Sequence, residues 1–290
     1  MDDPLKKHAI FTIVQNEPFF FPLWYRYYSG HYHYRKIYVL YHPLPQEDTL
    51  PEWIRSFAMG MNLVRVRRDK SFDHAWLRDQ VEKFAAFLLG SYDTVTFTEI
   101  DEFLAVDPTK NRNTNLTYWF DNWCRRRQPA ARCTGYEVVH RFDEEPDLDL
   151  DGVLHGGELA LKDRGWWYHS EIYSKTLTWR IPPQWDTGFH DAYGNSNDVI
   201  PQRVKLDLPK EPDLLLLHLH KVDYKMCVDR WKQTKSQDWN EADLKHPHAG
   251  YQNRYKDEAE LRSWWYRSID PPLRLNMDLV PMPEAVRSIV

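Results

Sequence analysis

Glycine is scarce: the chain has 11 in 290 residues, and none is set in GxGxxG or GxxxxGK. That excludes the glycine-rich turns with which dinucleotide-binding and P-loop proteins bring backbone N–H groups onto phosphate. GxSxG is missing as well, so there is no nucleophile elbow. Cysteine is rarer still: Cys124, Cys133 and Cys227 make neither a CxxC pair nor an even disulfide framework, which suits a reducing compartment. No apolar run approaches the roughly 18 to 20 residues that cross a bilayer. The apolar segment behind Lys6 and Lys7 is cut by Gln15, Asn16 and Glu17 before a signal peptide can form. A cytoplasmic protein is expected. A peripheral contact with the inner face of the membrane stays open, although no basic amphipathic helix argues for it. A basic excess is also lacking: 38 Lys and Arg stand against 43 Asp and Glu, for a net charge of −5 and a pI near 6.2. Nucleic acid is therefore not an expected partner, and the run Arg125 to Arg127 reads as a cationic helix end.

Aromatic residues are plentiful, at 15% of the chain with 13 Trp. Flat rings can stack on sugars and bases, but core packing accounts for most of them. An apolar content of 42% supplies a sizeable core and rules out disorder.

Hydrophobic periodicity predicts strands at residues 8–14, 36–41, 62–66 and 94–100. Helices are predicted between them at 19–28, from Pro51 to about Met61, and from a cap at Asp73 to a closing Gly90. This rhythm predicts an α/β fold, a mixed and mostly parallel sheet with helices on both faces and ligands at the carboxyl ends of the strands. Later come a helix at 116–127, strands at 136–142 and 214–220, an acidic loop at 143–151 and a helix at 257–268.

The segment FTEIDEFL, residues 97–104, is the most informative. With the strand running to residue 100, Glu99 and Asp101 sit two apart at its end, so alternation points both carboxylates the same way. Two such oxygens can hold a hard divalent cation, Mg2+ or Mn2+, while leaving positions for phosphate. An isolated ExD is more often an ordinary solvated strand end.

Asn16 and Glu17 after the first strand, EIDEF, SKT at 174–176, WDTGFH at 185–190 and HLHK at 218–221 together resemble the GT-A-fold glycosyltransferases. More narrowly they resemble family 2-like members with a DxDEF segment, over residues 8–232. The resemblance implies a metal-dependent transferase that moves a sugar from a nucleotide-diphosphate donor to a hydroxyl acceptor, a glycan or glycolipid. It implies Glu99 and Asp101 as metal ligands, with Glu99 a longer arm than the family's first Asp. Glu102 is implied near the sugar, and His220 or its alternating neighbour His218 as a further metal or diphosphate contact. Asn16, Glu17, Asp73 and Arg78 fall where the family holds the base or ribose, although helix capping explains them equally. Lys175 can offset charge on the departing diphosphate. Asp186 and Asp191 are candidate bases if the reaction inverts. Trp185 and His190, with Trp166 and Trp167, can line the acceptor groove, although core packing is the readier explanation of the tryptophans. His31 and His33, like His246 and His248, repeat the HxH spacing without a carboxylate partner and read as structural. The expected layout is a GT-A-like catalytic domain over 1–240, with a donor half to about 110 and an acceptor half from 111. Residues 241–290 would form a helical, proline-rich extension packed on it. A protein that binds carbohydrate or nucleotide on the same fold without catalysis is the alternative.

Overall fold

A computed structural model describes residues 7–44, 49–66, 73–186, 188–195, 203–235, 239–245, 255–269 and 278–290. His246 and His248 lie outside the described residues. The first half alternates β1 (His8–Val14), α1 (Phe20–Ser29), β2 (Ile37–Tyr41), α2 (Glu52–Arg55), β3 (Asn62–Arg65), α3 (His74–Leu89) and β4 (Thr94–Phe97). β1 pairs in parallel with both β2 and β4, and β2 with β3. Alternation along β1 shows why helices cover both faces. Ile10 and Val14 pack with Phe20 and Trp24 of α1, while Phe11, pointing the other way, packs with Val81, Ala85 and Leu88 of α3.

β5 (Glu102–Val106), α4 (Leu116–Trp123), β6 (Ala130–Val139), α5 (Leu150–Leu154), β7 (Trp166–His169) and β8 (Thr176–Trp179) follow. After them come β9 (Gln184–Trp185), β10 (Ala192–Asn195), β11 (Arg203–Lys205), β12 (Lys210–Lys221) and α6 (Tyr224–Lys235). The chain closes with α7 (Glu241–Lys245), α8 (Glu258–Ile269), β13 (Val280–Pro281) and α9 (Glu284–Arg287). β8 runs antiparallel to β4 and to β6, and β12 runs parallel to β6 and antiparallel to β5. The fold is thus α/β with a mixed sheet, parallel through its first half. β9, β10 and β11 make a small antiparallel sheet beside it. Leu261 and Trp265 of α8 pack with Cys227, Val228 and Trp231 of α6, and β13 pairs with β7.

Two expected elements are shorter. The helix from Pro51 is one turn, α2, followed by a tighter turn at 58–60. The strand expected over 94–100 stops at Phe97, because residues 98–101 turn and the chain re-enters the sheet as β5. Glu102 pins that turn: its Oε2 accepts from the Glu99 N–H at 3.0 Å, while its own N–H donates to the Glu99 carbonyl at 3.1 Å. No helix among the described residues is long and apolar enough to cross a membrane.

Candidate functional site

Strand directions decide what can meet. β1, β2 and β3 step one way across the sheet, and β4 returns to the other side of β1. The carboxyl ends of β1 and β4 therefore flank a topological switch point, where open α/β sheets leave a crevice. Glu17 follows β1, and Glu99 and Asp101 follow β4. β6 and β12 run the same way as β4, so Glu137, His218 and His220 reach this edge too. β5 and β8 run oppositely and begin here, with Glu102 and with Lys175 just before Thr176.

Because the turn at 98–101 is not strand, Glu99 and Asp101 diverge. Glu99 accepts from Lys175 Nζ at 2.7 Å, and Glu102 Oε1 lies 2.6 Å from the same ammonium. Lys175 and Glu102 are fully buried, whereas the Glu99 side chain keeps 38% exposure. Burial alone would lower the Lys175 pKa, but Glu102 and Glu99 override it and raise it. Burial pushes the Glu102 carboxyl up, with Lys175 opposing. Gly135 of β6 lets this strand approach the segment that carries Lys175: a Cβ there would fall 2.1 Å from the Tyr173 carbonyl carbon.

Asp101 belongs to a second cation. Arg230 of α6 donates from Nη1 to Asp101 Oδ2 at 2.8 Å and from Nη2 to Glu17 Oε1 at 2.8 Å. The same Nη1 lies 3.1 Å from His220 Nδ1, which accepts, since a guanidinium only donates. Burial would raise the Asp101 carboxyl, yet Arg230, His220 and His218 hold it well below the usual carboxylate range. Burial raises Glu17 in spite of Arg230. His218 and His220 are parallel rings 5.9 Å apart, as strand alternation predicts. His218 pairs with Glu137 at 3.0 Å and stacks on Tyr173. Burial lowers both imidazoles, but Glu137 carries His218 above its ordinary value, whereas His220, beside Arg230, stays below.

The other candidates divide. Asp73 caps α3, accepting from the Trp76 N–H at 2.9 Å, and Arg78 lies within the same helix. Asn16 sits at a left-handed φ of 48°, between β1 and Glu17. Trp185, expected to stack on an acceptor, is fully buried and donates from its ring to the Thr176 carbonyl. It has no free face, and this corrects the expectation. Trp167 is buried against Tyr136, and Arg141 covers Trp166. Asp186 accepts from the Asp191 N–H at 2.8 Å, and Asp191 pairs with Lys205 at 2.7 Å. His190 lines a cavity of about 260 Å3 with Arg132, Thr176, Asp191 and Lys205. His31 and His33 accept backbone N–H groups, as structural residues do.

The donor set suits a hard divalent ion in chemistry, offering the carboxylates of Glu17, Glu99, Asp101, Glu102 and Glu137 with the imidazoles of His218 and His220. In arrangement the set is closed, since Lys175 holds Glu99 and Arg230 holds Asp101. Among the described residues, three ligand atoms come within 4.8 Å of one another at His140, Asp147 and Asp223. That cluster is structural. His140 accepts from the Tyr224 N–H and donates to the Glu145 carbonyl, while Asp223 caps α6 and binds the buried Arg164.

Arg230 and Glu137 escaped the sequence reading. Glu137 is hidden in a strand pattern, and Arg230 lies on a helix face after HLHK, where only the position of α6 over the sheet edge brings it to Asp101.

No protein-family model matches the chain, and no curated protein matches it significantly. Among solved structures it is similar to TarS of S. aureus, at 8% identity over 90% of this chain and 47% of that one, with a TM-score of 0.32. The 1–349 portion of TarS in complex with UDP gives 9% identity over 91% and 81%, with a TM-score of 0.32. A protein described as a glucose-1-phosphate thymidylyltransferase from Bacillus anthracis, in complex with a sucrose, gives 10% identity over 46% and 56%, with a TM-score of 0.26. The chain spans about half the length of the thymidylyltransferase and of full TarS. At TM-scores this low the likeness says nothing of the reaction, which has to be argued from the site's own geometry.

Proposed function

We propose that this protein is a transferase that moves a sugar from a nucleotide-diphosphate donor to a hydroxyl acceptor, a glycan or glycolipid. The observation that carries the reading is the gathering of Glu17, Glu99, Asp101, Glu102, Lys175, His218, His220 and Arg230 at the switch point between β1 and β4. A charged donor bound there meets side chains instead of the glycine-rich loop that the sequence lacks.

In this reading Glu17 and Asn16 face the nucleoside, with Asp73 and Arg78 in the first turns of α3 beside them. Lys175 serves the leaving diphosphate. It turns from Glu99, whose half-exposed carboxylate can rehydrate, toward the phosphate oxygens, where charge grows as the sugar departs. A divalent cation, Mn2+ or Mg2+, would be held by Asp101 and Glu99 with His220 or His218, and when bound supplies further neutralisation of the diphosphate. Arg230 keeps Asp101 ionised and holds Asp101 and Glu17 in place until ligand arrives.

The paired state of both acids favours one second reading, a protein that binds nucleotide or carbohydrate without catalysis. The test is hydrolysis or exchange of nucleotide sugars with manganese. Turnover by the wild type that Asp101→Asn loses supports the transferase. Binding of nucleotide without any turnover supports the second reading.

A further inference from the structure

We propose that His190 is the general base that takes the proton from the acceptor hydroxyl, the cavity beside it being the acceptor pocket. The inference rests on the transferase reading and sets His190 beside Asp186 and Asp191, the candidate bases for an inverting reaction. Asp186 accepts from the Asp191 backbone N–H, and Asp191 pairs with Lys205.

Geometry prepares His190 for this role. Its Nδ1 lies 3.0 Å from the Ile172 carbonyl, which can only accept, so the ring proton sits on Nδ1 and Nε2 carries the lone pair. Nε2 accepts no hydrogen bond from the described residues. Phe189 is held at a left-handed φ of 60°, which a bulky side chain rarely adopts, next to Gly188 at φ 82°, which glycine adopts freely. A Cβ at position 188 would lie 2.8 Å from His190 Nε2, so a larger residue there would push the ring from this position. Phe189 anchors the loop by packing on Phe97 of β4 with ring centroids 4.7 Å apart, and Lys175 Nζ donates to the Gly188 carbonyl at 3.1 Å. Strain that surrounding contacts over-determine in this way is a mark of functional segments. The loop thereby ties His190 to the sheet edge that carries Lys175.

The charges around the ring suit the step. Lys175, Glu99 and His218 face it from the sheet edge, and Arg132, Asp191, Lys205 and Asp207 line its cavity. Burial and then Lys175 lower its pKa to about 4, so it is neutral throughout the physiological range. That basicity matches the carboxylates that act on sugars through oxocarbenium-like transition states, where the attacking oxygen becomes strongly acidic late in the reaction. The acceptor oxygen bonds to the anomeric carbon as its proton passes to Nε2. The bond from that carbon to the diphosphate oxygen breaks, with its electron pair leaving on the phosphate. The imidazolium then returns the proton to solvent.

The test is hydrolysis of a nucleotide-sugar panel (UDP-glucose, UDP-N-acetylglucosamine, GDP-mannose), in which the same base activates water. Wild type, His190→Ala and His190→Gln are compared, with nucleotide Kd and melting temperature measured on each. The expected result is a fall in kcat of about 10²- to 10⁴-fold in both variants. Kd should stay within about twofold, and added imidazole should restore part of the rate of His190→Ala. A kcat within about threefold of wild type in either folded variant overturns the assignment and leaves the transferase reading standing. So does a loss that imidazole does not relieve in His190→Ala and that tracks weakened nucleotide binding. If the wild type neither binds a nucleotide nor hydrolyses a donor, the transferase reading falls and takes this inference with it.

Discussion

Lys175 and Arg230 sit at the same sheet edge and each bridges two carboxylates, yet they are built for different work. Arg230 spreads a planar fork over groups from three separate places: Glu17 after β1, Asp101 after β4 and His220 on β12. Lys175 is a buried point charge between Glu99 and Glu102, which belong to one turn, with the Gly188 carbonyl as a third partner, and Glu99 is partly in water. A fork that satisfies several buried groups acts as a latch, whereas a flexible ammonium with a hydrated partner can change partners. The comparison assigns stability to Arg230 and movement to Lys175.

Removing the latch should cost most. Arg230→Met leaves Asp101 and Glu17 buried without their cation, and the expected loss is about 3–5 kcal/mol of unfolding free energy, read by urea denaturation. Adding Asp101→Asn to that variant should recover part of the loss. A loss under about 1 kcal/mol would place Arg230 outside the structural frame. Lys175→Met should cost less, about 1–3 kcal/mol, because Glu102, already raised by burial, can take a proton. Its folded pKa then lies above its unfolded one, so the variant should lose stability as pH rises from the ordinary carboxylate value through the raised one. A cost independent of pH would contradict the pairing. The smallest effect belongs to His218. Its pKa is raised, so the stability it gives is complete below pH 6.5 and is lost as pH rises through the folded value. His218→Gln should flatten that slope, by a few tenths to about 1 kcal/mol. His220, which is lowered, acts on the acid side of 6.5.

The halves of the molecule also differ in how far their sequence can be read. Over the first hundred residues the alternation of apolar periods marks every strand and the caps of α3, because each β–α step buries a local pattern. Besides the helix from Pro51, which is a single turn, the failure there is the end of β4, where TEIDEF continues a strand pattern but Glu102 folds back on the Glu99 N–H. A side-chain bond to backbone overrides the period, and the two acids part as a result. In the second half β7 and β8 are four residues each, too short for a period to show, so the aromatic run at 166–179 leaves them unresolved. His218 and His220 were legible, since HLH in a strand fixes their common side. Arg230 was not, because its partners lie 129 and 213 positions away in sequence. Trp185 failed for a different reason: composition tells of aromatic rings but not of which face stays open, and this one is core.

The most direct measurement of the central claim is a thermal-shift titration of wild type and Asp101→Asn with UDP, GDP, ADP, CMP and dTDP, each with and without manganese. A nucleotide at about 100 times its Kd adds roughly 2.7 kcal/mol to the folded state. The account predicts that one nucleotide stabilises the wild type, more strongly with manganese, and that Asp101→Asn loses the manganese-dependent part. No shift with any nucleotide, with or without manganese, would contradict a donor site at the switch point between β1 and β4.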